Sequence, residues 1–187
     1  MGHKRERYAD FVAHPRYGRG PRITGLNVEE GGDAFLHWHS PRSSRIPDTA
    51  VTADLTRQTR ATVPVTHYFD VKRRCRDCDR PFLFFADEQK HWYEELGFGL
   101  ESDCVRCAEC RKRRQGIARL RERYEELHHV ADRSPEEDLE MADCCLTLVE
   151  ESVFSSKQLQ RVRALLKRVP PGDAGGLLAR VAALEGA

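Results

Sequence analysis

Two short cysteine motifs, Cys-Arg-Asp-Cys at residues 75–78 and Cys-Ala-Glu-Cys at residues 107–110, decide how the middle of this 187-residue chain folds. Two residues between cysteines turn the chain so that both sulfurs face one point. Two such pairs supply four thiolates, which close a tetrahedral shell and leave no open position for a substrate or water. The spacing therefore predicts one structural Zn²⁺ ion, held by Cys75, Cys78, Cys107 and Cys110.

A fifth cysteine offers an alternative to the second pair. Cys104 precedes Cys107 in Cys104-Val-Arg-Cys107, which also has the spacing of a ligand pair. The pair at 107–110 is favoured because a helical pattern follows it at once, and the positive end of a helix dipole stabilises thiolates.

The composition limits the class of protein. One-third of the residues are charged and the mean hydropathy is −0.64, which favours two small units over one large core. No run approaches the ~20 apolar residues of a membrane span, and nothing resembles an export signal. Seven cysteines in such a chain favour metal binding over disulfides. We therefore expect a cytoplasmic protein that neither binds membranes nor takes a small-molecule substrate.

The chain divides into four segments by pattern and charge. Residues 1–22 form an irregular basic arm, and the first 23 residues hold six basic and two acidic side chains. Residues 23–64 are loop-rich, with extended pieces at 34–38 and 50–55, and are expected to pack on the zinc unit. Residues 65–131 form the four-cysteine domain with its exit helix. Residues 132–187 are α-helical.

The elements around the cysteines predict an α+β domain. Strands at 65–71 and 81–85 flank the first pair and form a hairpin with a metal knuckle at its tip. Asp87 is placed to cap a helix over residues 88–96, and Gly97 suits the position just after its end. The second pair opens a helix whose apolar stripe is Ile117, Leu120, Tyr124 and Leu127. A knuckle on a hairpin and two ligands at a helix start define a treble clef, distinct from a ribbon with both pairs on hairpins.

The C-terminal segment predicts a small helical hairpin or bundle. Ser134-Pro-Glu-Glu137 is a capping box with proline at the first helical position. A second helix is predicted from Ser155 or Ser156 and a third from Asp173, after Pro170-Pro-Gly172 stops the second.

Several motifs occur in a recognisable order between Tyr68 and Lys112. They are Tyr68-Phe-Asp70, the first cysteine pair, Pro81-Phe-Leu-Phe-Phe85, Glu88-Gln89, Trp92-Tyr-Glu94, Gly97-Phe98, and Arg106 with the second pair and Arg111-Lys112. With these motifs, the segment from about residue 66 to residue 115 resembles the small bacterial "probable zinc-ribbon" family of treble-clef zinc fingers. The resemblance implies zinc on Cys75, Cys78, Cys107 and Cys110, and no established catalytic activity. Asp79 departs from the family's Gly or Lys, at a turn where Asp tolerates a left-handed conformation.

Other metal-binding and catalytic patterns are weak. His37-Trp38-His39 places two imidazoles on one face of a strand, but no carboxylate is placed to complete a second metal site, so a half-exposed edge strand is expected. Treble-clef nucleases need a histidine or asparagine early in the helix after the hairpin. The only histidines of that helix, His128 and His129, lie some four turns from the cysteines. We therefore expect no enzyme, with a metal-dependent nuclease as a remote alternative.

The leading hypothesis is a non-enzymatic zinc module that docks a protein or ribonucleoprotein partner. The alternative is RNA or DNA binding through a basic cluster, with Tyr68, Phe82 or Trp92 stacking on bases. Against it, residues 71–114 hold 11 basic and nine acidic side chains, and some arginines would offset the charge of four thiolates. The cluster comprises Arg73, Arg74, Arg76, Arg111, Lys112, Arg113 and Arg114.

Overall fold

Two compact units make up the computed structural model, which describes residues 7–29, 31, 33–59 and 63–186. The first unit extends to Arg111 and the second begins at Lys112. The sequence pattern places a boundary later, between residues 131 and 132. The helix that starts at the second cysteine pair belongs mostly to the second unit, because its apolar stripe packs into the helical core.

The described part of the first unit contains two antiparallel strand pairs. β1 (Val51–Thr52) pairs with β2 (His67–Tyr68), and β3 (Val71–Arg74) pairs with β4 (Pro81–Phe84). Val71 lies opposite Phe84 and Arg74 opposite Pro81, so the turn of the second pair carries Cys75 and Cys78. The predicted hairpin with cysteines at its tip is confirmed.

The single predicted strand over 65–71 is wrong in extent, because Asp70 divides it between the two sheets. The buried Asp70 carboxylate accepts hydrogen bonds from the backbone N–H groups of Arg22 and Ala86, both at 2.7 Å. Its own N–H donates to the Thr49 hydroxyl at 3.0 Å. Since a buried polar group needs partners, the chain leaves the first sheet after Tyr68 and enters the second at Val71, directly after Asp70. Of the extended pieces, 50–55 contains β1, whereas 34–38 forms only isolated bridges.

Replacing Asp70 with alanine is expected to destabilise the first unit by about 1–3 kcal/mol at pH 7, because two backbone donors lose their acceptor. Burial raises the pKa of Asp70 to about 6, although the N–H groups of Ala86 and Arg22 lower it. This is above the ordinary value of 3.8, so between the two values the folded state binds more protons than the unfolded state. The carboxyl's contribution to the free energy of unfolding therefore falls as the pH rises through this window.

Urea unfolding of wild type and Asp70→Ala at pH 5 and pH 7 checks both statements. The destabilisation should be larger at pH 5 than at pH 7. Equal destabilisation at the two pH values would contradict the raised pKa.

The helix after the hairpin changes type midway. α1 (Ala86–Lys90) runs into a π-helix (His91–Glu95). The predicted cap is wrong: the N-cap is Phe85, without a side-chain hydrogen bond, and Asp87 lies in the first turn. The wider π turn buries Tyr93 completely and leaves Leu96 51% exposed, so the two do not share a face. Gly97, at φ 68°, follows the helix as predicted.

The described part of the N-terminal arm, residues 7–22, packs along the hairpin. Val12 donates to the Pro81 carbonyl at 2.8 Å and pairs in parallel with Phe82. Tyr8 is buried with Leu83 and Phe85. The predicted arm has no regular secondary structure here, but its apolar side chains complete two clusters of the first unit. Residues 1–6 of the arm lie outside the described residues.

The second unit is a small helical bundle. Its helices are α2 (Ala108–His128), α3 (Pro135–Glu150), α4 (Leu159–Leu166) and α5 (Pro171–Glu185). The capping box of α3 is confirmed: Glu137 N–H donates to Ser134 Oγ at 3.2 Å, and Ser134 N–H donates to the Glu137 carboxylate at 2.8 Å. A 3₁₀ turn (Ser156–Gln158) precedes α4, and α5 begins at Pro171 and not at Asp173 because proline suits the first helical position.

The bundle core takes side chains from all four helices. Met141, Cys145 and Leu146 of α3 are fully buried, as are Val162 of α4 and Val181 of α5. They form one cluster with the stripe of α2. None of the described helices combines the length and apolar character that a bilayer crossing requires.

Candidate metal site

Four cysteine sulfurs converge between the β3–β4 turn and the start of α2. Cys75 and Cys78 come from the turn, Cys107 from the residue before α2, and Cys110 from its first turn. All four Sγ atoms lie within 4.8 Å of one another, and those of Cys78 and Cys107 are 3.9 Å apart. Zn–S bonds of about 2.3 Å in a tetrahedron require sulfurs about 3.8 Å apart. The spacing therefore fits one four-coordinate metal ion.

The backbone of the first pair is a tight turn. Asp79 N–H donates to the Cys75 carbonyl at 2.9 Å, and Cys75 N–H donates to the Arg80 carbonyl at 3.0 Å. Asp79 has φ 55°, the left-handed conformation expected at this position. Arg76 N–H donates to the Val105 carbonyl at 2.9 Å. This bond holds the turn against the segment that leads into the second pair.

The thiol pKa values show why the site suits a cation. Burial raises the pKa of Cys75, but backbone N–H groups of Cys107, Cys78 and Asp77 lower it more, to about 6. The pKa values of Cys107 and Cys110 are raised, first by burial and then by neighbouring sulfurs. One thiolate therefore forms readily, while four together need a positive ion. Four soft donors of this kind are typical of a zinc or iron site.

Cys104 lies near the four cysteines but is not part of their group. Its thiol is 1% exposed and donates to the Arg106 carbonyl at 3.4 Å. Burial raises the pKa of Cys104 to about 12. The Cys104 side chain therefore packs as a neutral thiol beside the site.

We expect Cys104→Ser to retain one metal ion per chain, because a serine hydroxyl can also donate to the Arg106 carbonyl and all four converging sulfurs remain. Metal content of the purified full chain, measured by mass spectrometry beside Cys107→Ser, tests this. Loss of metal from Cys104→Ser would make Cys104 a ligand.

Carboxylates engage most of the basic cluster predicted from sequence. The ion pairs are Arg73–Asp103, Arg74–Asp79, Arg111–Glu88 and Arg113–Glu151. Arg114 is exposed and has an interaction of its own. Arg76 and Lys112 are exposed and form no ion pair with the described part of the chain. Much of the positive charge near the cysteines is thus neutralised locally.

The aromatic side chains predicted to stack on bases are mostly inaccessible. Tyr68 is fully buried and Phe82 is 3% exposed, so neither can stack on a nucleotide. Trp92 is partly buried, and the Arg111 guanidinium lies 5.0 Å from its ring centroid.

The two histidines of the His-Trp-His motif do not form a second metal site. His37 Nε2 is 2.7 Å from the Leu100 carbonyl, and Nδ1 accepts from the His39 N–H at 3.1 Å. Both ring nitrogens of His37 are therefore occupied, and burial lowers its pKa to about 4. The expected half-exposed edge strand is wrong, because residues 37–40 form a turn in which Ser40 N–H donates to the His37 carbonyl at 2.9 Å. The alternation of burial is nevertheless present, since His37 is 4% exposed and Trp38 is 54% exposed. Among the described residues, only the four cysteines form a group of three or more side chains suited to a metal.

A buried group of polar contacts lies beside the site, and no sequence pattern predicted it. Glu88 is 5% exposed and pairs with Arg111, the residue after Cys110. The same carboxylate lies 3.3 Å from His14 Nε2 on the N-terminal arm. The adjacent Gln89 donates to the carbonyls of β4 and of the chain before β3. The Glu-Gln motif is visible in the sequence, but its partners are distant along the chain.

Comparison with known proteins identifies the class of the first unit's cysteine domain. Residues 69–119 match the model of a family described as "Probable treble clef domain". The matched segment contains the β3–β4 hairpin, the four cysteines and the start of α2, so the α+β treble-clef resemblance found in the sequence is confirmed. No curated protein and no solved structure matches the chain.

Proposed function

We propose that Cys75, Cys78, Cys107 and Cys110 hold one structural Zn²⁺, and that the protein is a non-enzymatic cytoplasmic module that docks a protein or ribonucleoprotein partner. The observation that carries the zinc proposal is the convergence of four sulfurs within 4.8 Å from two elements far apart in sequence. Four protein ligands fill the tetrahedral shell, whereas catalytic zinc keeps one position open. The cysteines are all unpaired thiols, which agrees with a reducing compartment.

The exposed side chain of Trp38, which stacks on buried rings, favours a protein partner. Trp38 is 54% exposed, and its ring stacks on buried His37 with centroids 4.6 Å apart. His37 in turn stacks on buried Tyr93 at 5.3 Å. Tryptophan held in one orientation loses little entropy on binding and is frequent at the centre of protein interfaces.

Affinity purification of the full chain tests this proposal. Wild type, a Cys75/Cys78 double serine variant and Trp38→Ala are compared, with metal, RNA and protein measured on the same samples. We expect one zinc per chain in wild type and Trp38→Ala, and none in the double variant. A stoichiometric protein partner should be lost from both variants and kept by Leu55→Ala, which alters another exposed apolar side chain.

The outcomes separate the two parts of the proposal. Another metal, or no metal, in the wild-type protein contradicts the zinc assignment. A partner that Trp38→Ala retains in full contradicts docking at Trp38.

RNA or DNA binding is the second candidate, supported by Arg76 and Lys112, which are exposed and form no ion pair with the described residues. It requires salt-dependent binding of single-stranded RNA or DNA that Arg76→Glu and Lys112→Glu weaken. Arg57→Glu, an exposed change elsewhere in the first unit, is the control. Salt-independent binding, or equal binding by all variants, would exclude these two side chains as contacts.

A further inference from the structure

An apolar cavity of about 660 Å³ lies between the N-terminal arm and the loop before β1. Its apolar walls include Tyr8, Pro21 and Ile23 from the arm side, and Ile46 and Pro47 from the loop. Tyr8 and Ile46 are each 7% exposed, so they form a fixed floor, whereas Ile23 is 54% exposed at the rim. A cavity of this size and character is typical of small-ligand sites, which span about 300–1,000 Å³.

Two arginines, Arg7 and Arg19, are among the residues that line the same cavity. Arg19 donates to the Ala9 carbonyl at 3.3 Å, which places its guanidinium beside the segment that carries Arg7. Neither arginine forms an ion pair with a described residue, although most arginines near the cysteines do. Asp48 contributes the one carboxylate among the described lining residues. The cavity therefore combines apolar walls with an excess of positive charge.

The loop that forms one wall of the cavity is held by backbone hydrogen bonds. Asp48 has φ 62°, a left-handed conformation that Asp tolerates better than most residues. Its carbonyl accepts from Thr24 N–H at 2.8 Å and from Gly25 N–H at 3.1 Å. The left-handed turn at Asp48 is thus held by the chain that follows Ile23, and the two walls are joined to each other.

The geometry points to a binding site for a small amphipathic carboxylate, in which an alkyl or aromatic body lies against Tyr8, Ile23 and Ile46 and the carboxylate meets Arg7 and Arg19. The apolar walls exclude simple inorganic anions, which have no surface to bury there. The arginines favour a carboxylate over a neutral molecule of the same shape, because guanidinium groups bind carboxylates through charge-assisted hydrogen bonds. This site is separate from the cysteines and does not depend on the docking proposal.

Titration of the full-length, metal-loaded protein with decanoate tests the assignment by calorimetry and by amide chemical shifts. Decanol, which lacks the charge, and acetate, which lacks the apolar body, are the matched probes. We expect saturable binding of decanoate, with shifts concentrated in residues 7–9, 19–23 and 46–48. Decanol and acetate should each bind at least about tenfold more weakly.

Two variants locate the site. Ile23→Glu places a negative charge at the rim and should weaken decanoate binding at least about tenfold, since Ile23 contributes to a wall and its exposure lets the variant fold. Arg7→Gln removes a cation whose side chain has no hydrogen bond or ion pair with the described chain, and should weaken decanoate binding but not decanol binding. Leu55→Glu and Arg57→Gln, which lie outside the cavity, should bind as wild type does.

Metal content and melting temperature equal to wild type show that each variant is folded. The proposal is overturned if wild type shows no saturable decanoate binding, or if decanol binds as tightly as decanoate. It is also overturned if Ile23→Glu and Arg7→Gln both bind as wild type does, or if the chemical shifts change elsewhere in the protein.

Discussion

Cys110→Ser is expected to abolish metal binding and to unfold residues 65–115. A structural zinc ion contributes roughly 10 kcal/mol or more to folding at neutral pH, which is comparable to the whole stability of a small domain. The cluster around the site is small: apart from cysteines, its buried members are Val12, Phe82 and Phe84. With so few apolar side chains in this cluster, the metal is expected to decide whether the segments that carry the four cysteines are ordered.

Two measurements on the same samples, metal content and amide signals, test the prediction. Metal analysis should fall from one ion per chain to none in Cys110→Ser and in Cys78→Ser, while Cys104→Ser keeps its ion. Amide signals of residues 65–115 should collapse to unfolded positions in the first two variants. One tightly bound metal ion per chain in Cys110→Ser would show that Cys110 is not a ligand.

Asp138→Ala is expected to destabilise the helical unit by about 3–5 kcal/mol. Asp138 is fully buried at the start of α3 and pairs with Arg133 and with Arg168, both at 2.8 Å. Arg133 also donates to the carbonyls of Leu127 and Val130, at the end of α2. Removing the carboxylate leaves the largely buried Arg133 charge without its partner and loosens the junction between two helices. Breaking a buried ion pair by removing one partner typically lowers the free energy of unfolding by about 3–5 kcal/mol.

Urea unfolding followed by far-UV circular dichroism measures this effect. Asp143→Ala is the matched control, because Asp143 lies on the same helix and pairs with Arg180 at 2.6 Å but is 53% exposed. An exposed pair contributes about 0–1 kcal/mol. Similar losses in the two variants would show that burial of Asp138 does not set its contribution.

Much of the cysteine domain could be predicted because its signals are short-range. Each of these signals lies within about 20 residues of sequence. They are the two-residue spacing within each cysteine pair, the strand residues beside the first pair and the helical stripe after the second. The capping box at Ser134 is equally local, and the structure confirms it. Predictions from these local signals misplace an element where a residue distant along the chain binds it. The predicted strand over 65–71 is divided because Asp70 binds the N–H groups of Arg22 and Ala86.

The buried polar contacts beside the site were not predicted, because they join residues that are distant along the chain. Glu88 joins Arg111 to His14 of the N-terminal arm, and no sequence pattern links these three positions. The basic cluster shows the same limit. The sequence presents its arginines as free for a nucleic acid, and the fold pairs Arg73 with Asp103 and Arg111 with Glu88.

Local patterns in the sequence were enough to predict a four-cysteine metal site within a treble clef, with helices after it. Ligand spacing, capping and apolar periodicity act over a few residues, so they can be recognised in a single sequence. The folded structure was needed to show that the described arm completes the core of the first unit, that Cys104 remains a buried thiol, and that at least four of the seven basic side chains of the cluster form ion pairs. Burial and ion pairing join residues far apart along the chain, because each depends on which surfaces the folded backbone brings together.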